Sequence, residues 1–102
     1  MKLKSNKQSN LPLFNLGEVV CTDGVRSMLE AQKIDFLDIQ EMLHRHRSGD
    51  WGIVAQDSVI ANNEALKKQD SIFSIYCINN KNFWVMTEYD RSTTTVLLPR
   101  EY

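Results

Sequence analysis

The sequence predicts an α+β fold: an N-terminal strand, three helices, then a three-stranded antiparallel β-meander, with the helices packed on one face of the sheet. Three observations predict it. Between Ser71 and Pro99 the chain reads SIFSIYCI, NNKN, FWVMTEY, DRS, TTTVLLP: β-rich runs separated by polar turns. The connections are too short for the crossover that a parallel pair needs, so consecutive runs should pair antiparallel. From Thr22 to Gln69 apolar residues recur at helical spacing behind good N-caps, and this segregation of helices from strands marks an α+β domain.

Taken in order, Met1–Asn10 carries three lysines and no large apolar residue after Leu3. It reads as a disordered basic tail ahead of a single domain over residues 11–102. Pro12 breaks any helix across Leu11–Leu16, and GEVVC (Gly17–Cys21) reads as a short strand that joins the sheet. Thr22 caps a first helix, with Asp23 at the positive end of its dipole and Val25, Met28, Leu29 and Gln32 on one face. Asp35 caps a second helix, whose stripe is Phe36, Ile39, Leu43 and His46, flanked by Leu37 and Met42. Gly49 ends it, near Arg45 and Arg47. A third helix, Asp57–Gln69, turns Val59, Ile60 and Leu66 inward. It also turns in one amide, assigned to Asn62 rather than Asn63, which must bond backbone of the Gly49–Gly52 turn or of the sheet.

Alternation gives each strand two faces. Ile72, Ser74, Tyr76 and Ile78 oppose Phe73, Ile75 and Cys77. Phe83, Val85 and Thr87 oppose Trp84, Met86 and Glu88; Val96 and Leu98 oppose Thr93, Thr95 and Leu97. One face packs on helices. The second is expected to be covered as well, with a half-exposed partner surface as the alternative. Trp51 and Trp84 are both expected inside. Pro99 should end the last strand or lie at an edge.

At 102 residues and 42% hydrophobic content the chain is long enough for its own core. Its net charge of −1 argues against a compact nucleic-acid binder. No run approaches the length of a membrane span and no secretory signal opens the chain, so no membrane partner and a cytoplasmic location are expected. Cys21 and Cys77 are expected as buried free thiols, with a single bridge between them as the alternative; their spacing is not that of a metal site, and no metal or cofactor is expected.

The densest polar cluster is His44–Gly52. On a functional account His46 is a general base oriented by Asp50, and it joins Arg45, Glu88 and Arg91 to cleave a phosphodiester, because Arg stabilises the charge while His moves the proton. His44 and His46 are two apart and diverge on a helix, which disfavours a shared metal. The structural account is preferred. His46 falls on the apolar stripe as a hydrogen-bonded core residue, Trp51 plugs the core, and His46, Asp50 and Arg91 together brace the helix end against the Tyr89–Thr93 turn. Tyr76, Asp50, Asp90 and Arg91 are assigned to partner binding.

RHRSGDWG (Arg45–Gly52), NNEAL (Asn62–Leu66), SIY (Ser74–Tyr76) and FWVMTEYDRSTTTVLLPREY (Phe83–Tyr102) resemble a family of short uncharacterised proteins of bacterial plasmids, prophages and integrated elements. Some of them are labelled plasmid-related or as a type I restriction modification subunit. The resemblance spans roughly Leu16 to Tyr102 and is most specific in the GDWG and TE-x-DRS-x-TT-x-LLP blocks. It lends no catalytic residues. It implies a cytoplasmic accessory protein of mobile DNA that binds a host or element macromolecule, a defence nuclease among the possible targets. The leading expectation is therefore a non-enzymatic binder with a protein partner. The alternatives are a small RNase or phosphodiesterase using His46, and a structural homodimer.

Overall fold

A computed structural model of the chain describes residues 11–102, so the tail assigned to Met1–Asn10 lies outside the described residues. Their elements run β1 (Glu18–Cys21), α1 (Asp23–Glu30), α2 (Phe36–Arg47), α3 (Gln56–Lys68), β2 (Ile72–Ile78), β3 (Lys81–Thr87) and β4 (Thr93–Leu97), then a 3-10 turn at Pro99–Glu101. The four strands form a mixed sheet in the order β1-β4-β3-β2. The meander holds for β2, β3 and β4, but β1 joins parallel to β4, from Glu18 opposite Thr93 to Cys21 opposite Val96. All three helices lie between the two strands in sequence, ample for the crossover that a parallel pair requires. β4 is thus an internal strand, and Pro99 falls just past its end.

The first hairpin turns on Asn79 (φ 51°) and Asn80 (φ 65°), a two-residue left-handed turn that matches strand twist. In the second turn Asp90 accepts from the Ser92 N–H and hydroxyl. Asp35 and Asp38 cap α2 reciprocally, each accepting the other's N–H at 3.0 Å. The α1 N-terminus has a double cap. Thr22 Oγ1 accepts from Val25 N–H, and the Glu101 carboxylate takes the Thr22 hydroxyl, the Gly24 N–H (2.8 Å) and the Leu98 N–H (2.9 Å).

α1 and α2 cover the half of the sheet around Tyr76, Phe83, Val85 and Val96; α3 covers the half around Ile72, with Trp51 and Ala65. The inward stripe of α2 is Ile39, Met42 and His46. Phe36 and Leu37, expected on or beside it, are exposed, because the stripe begins one turn after the capped end. Ile60 is also exposed: the α3 stripe runs through Val59, Asn62, Ala65 and Leu66, and Ile60 sits about 100° around the helix from Val59. Gln32 lies beyond the end of α1 in left-handed backbone (φ 59°), not on its apolar face. Cys77 is exposed, on the sheet face away from the helices.

The outer edge of β2 is closed at Phe73 and Ile75. Asn62 is buried and clamps Phe73, donating Nδ2 to its carbonyl at 2.7 Å and accepting its N–H at 3.1 Å. The next outward residue, Ile75, donates to Trp51 C=O at 3.1 Å and accepts Ile53 N–H at 2.8 Å. Gly52 makes this approach possible: it has φ 77°, and a Cβ there would stand 1.8 Å from Ile75 O. Among the described residues no helix is long and apolar enough to cross a membrane.

Candidate functional site

His46 reaches the sheet from the apolar stripe of α2 and is fully buried. Both ring nitrogens are bonded, and the direction of the bonds can be worked out from one end. The Thr94 hydroxyl donates to Leu16 C=O at 2.7 Å. Thr94 therefore accepts from the Thr87 hydroxyl at 2.7 Å, and Thr87 accepts from His46 Nε2–H at 2.9 Å. Nδ1 is left to accept from the Ser74 hydroxyl at 2.6 Å. One carbonyl thus fixes the proton on Nε2, and with the ring neutral Nδ1 is the acceptor. Burial, with the Arg91 charge adding to it, lowers the His46 pKa to about 3. Phe14 and Trp51 rings flank the imidazole at centroid distances of 5.2 and 6.1 Å.

The other polar residues singled out in the sequence do not join His46. Asp50 pairs with Arg45 (2.7 Å) and accepts the Gly52 N–H, and the Arg45 bond holds its carboxyl below the usual range. Arg45 also lies 4.5 Å over the ring of Tyr76, whose hydroxyl donates to Asp50 C=O at 2.6 Å. Burial raises the Tyr76 pKa, and the side chain belongs to the core. Tyr76 is therefore not a partner-facing residue. Arg91, in left-handed backbone (φ 61°), donates to the carbonyls of Ala65, Asp70, Glu88 and Tyr89. It braces the end of α3, not that of α2, onto the second hairpin turn. Asp90 caps its own turn, and Glu88 projects into solvent. The brace expected from His46, Asp50 and Arg91 is thus three separate devices, and Arg45, Glu88 and Arg91 do not converge on the imidazole. Among the described residues no His, Cys, Asp and Glu side chains group as metal ligands.

The far face of the sheet is open, the alternative to a covered second face. All three helices pack on the face of Ile72, Tyr76, Phe83, Val85 and Val96. The opposite face shows Phe73 and Ile75 from β2, and Trp84 and Met86 from β3, each half-buried. Trp84, expected inside, stands here because no helix lies over it. Phe73 meets it edge-on at 4.7 Å, and Tyr102, 77% exposed, tilts against it at 5.0 Å. Ser71, Phe73, Trp84, Met86 and Tyr102 line a shallow cleft. Period-2 alternation in SIFSIYCI and FWVMTEY was the signal for this face. Tyr102, beyond the last strand, gave none.

No protein family, no curated protein and no solved structure matches this chain.

Proposed function

We propose that this chain is a non-enzymatic binding protein that docks a protein partner on the open face of its sheet. The observation that carries the reading is the row Phe73, Trp84 and Tyr102, with Met86 beside it, which no helix covers. Aromatic residues and Met are the types enriched at protein interfaces, and contiguous apolar patches on a protein surface mark interaction sites. Trp and Tyr also supply large contact area at small cost in side-chain entropy. The resemblance in the GDWG and TE-x-DRS blocks supports the setting: an accessory protein of a mobile element in the bacterial cytoplasm. Its target is then a host or element macromolecule, with a defence nuclease as one candidate.

The phosphodiesterase alternative asks His46 to meet substrate and to exchange a proton near neutral pH. Its imidazole is buried, both nitrogens are engaged, and its pKa of about 3 lies far below that range. Affinity capture from bacterial lysate, followed by binding measurements on the purified pair, tests the proposal. The wild type is expected to retain a defined protein, and Trp84→Ala to weaken it by about 2 kcal/mol or more while the fold is kept. Cleavage of RNA or DNA by the purified wild type, abolished in a folded His46→Gln, would refute it.

A further inference from the structure

The two edges of the sheet are treated differently. Apart from Cys77 beside the hairpin turn, which has no described partner, the outward groups along β2, those of Phe73 and Ile75, are all bonded, by Asn62 and by the Trp51–Ile53 segment. Along β1 they are not. Glu18 and Thr22 donate their N–H groups inward, to Ser92 C=O at 2.9 Å and Val96 C=O at 3.1 Å. Parallel bonding alternates by residue, so Val20 also faces β4, while the N–H and C=O of Val19 and Cys21 face outward. No described residue meets them. Val19 and Val20 are 41% and 42% exposed. EVVC carries no lysine, proline or bulge; its protections as an edge are its four-residue length and Glu18 at its start.

We propose that β1 pairs antiparallel with β1 of a second copy of this chain, about a two-fold axis through Val20, so that two four-stranded sheets become one. The register follows from the outward groups. With Val20 opposite its own copy, Val19 faces Cys21 of the second copy and Cys21 faces Val19, and each pair exchanges both backbone bonds. An axis through Val19 would set Cys21 against Gly17, whose φ of 66° takes it out of strand conformation. An axis through Cys21 would set Val19 against Asp23, already in α1. A register shifted by half a step would oppose outward groups to inward ones. The edge is therefore complementary to itself in one register only, which favours a second copy over a foreign strand. Glu18 then faces Thr22, so no like charges are directly opposed. The axis stands perpendicular to the sheet, leaves both helix layers on one side and makes the two open faces continuous. The pairing uses only backbone groups of β1 and does not depend on the partner role assigned to those faces.

Light scattering across a dilution series of the full chain, up to high micromolar concentration, tests this. The mass is expected to rise from 11.8 kDa to twice that value. Val19→Pro deletes an outward donor and spares the β1–β4 bonds, so it should stay monomeric with an unchanged far-UV spectrum. Val20→Cys, in a Cys21→Ser, Cys77→Ser background, should cross-link to a covalent dimer on mild oxidation, since facing Cα atoms of a non-hydrogen-bonded pair lie about 4.5 Å apart. The cross-link decides the matter if Val19→Pro fails to fold. A wild type monomeric throughout, with no cross-link, would overturn the proposal and leave the edge to a strand of another protein. A dimer that survives Val19→Pro and is dispersed by Trp84→Ala would overturn it in favour of the open face.

Discussion

His46 is one residue through which acid acts on this fold. In the unfolded chain its imidazole takes up a proton near pH 6.5; in the folded chain burial and Arg91 hold that step down to about 3. Above 6.5 both states are neutral and the contribution to stability is complete. Between 6.5 and 3 the unfolded state binds a proton that the folded state refuses, so stability falls as pH falls, by about 1.4 kcal/mol per pH unit from this group. Urea titrations at stepped pH should show that slope in the wild type. His46→Gln, which offers a donor and an acceptor but does not titrate, should flatten it. The inward position of His46 was legible from its place on the α2 stripe. Its partners were not: Ser74, Thr87 and Thr94 are inward by alternation, but nothing in local spacing says which hydroxyl meets which nitrogen. Asp50 looked like the orienting group because it is near in sequence, and its carboxylate went to Arg45. Asn62 was read correctly as a paired amide, because a buried amide with no partner is too costly to keep.

At the scale of elements, α1 depends on a residue far away in the chain. Thr22 alone is an ordinary N-cap; Glu101 adds a carboxylate at the same helix end and ties it to Leu98. Glu101→Ala should therefore lower stability by about 1 kcal/mol, the usual worth of a helix cap, read as a shift of the urea midpoint with unchanged slope. Hydrogen exchange should show the loss first in the amides of Gly24 and Val25. Helix positions were legible, since Thr22 and Asp35 are strong caps and the stripes are periodic. Glu101 was not, because a cap supplied from another part of the chain leaves no mark near the helix it caps.

For the whole molecule, the two tryptophans report on the two sides of the sheet. Trp51 is buried in the α3 half of the core, so Trp51→Ala should cost about 3–5 kcal/mol in a denaturation experiment. Trp84 is half-buried on the open face, so Trp84→Ala should cost well under half as much. Equal losses would mean that the second face is as enclosed as the first. Strand faces were readable from alternation, yet whether anything lies over a face depends on where the helices cross, which composition does not encode. The parallel placement of β1 was hidden for a related reason. EVVC is apolar enough to join any open edge, and only the three-dimensional course of the helices brings it to β4.

That placement has a consequence for how the protein is made. β1 leaves the ribosome ahead of its partner β4 and the Glu101 carboxylate, which emerge only after the three helices and the first hairpin. The sheet cannot be completed until β4 has been synthesised, because before then the strand that receives β1 does not exist. Contacts this distant in sequence also slow folding, since a long loop must be closed before they return any stability. During that interval Val19 and Val20 have no ladder partner, and an unpaired apolar strand is open to association with other chains.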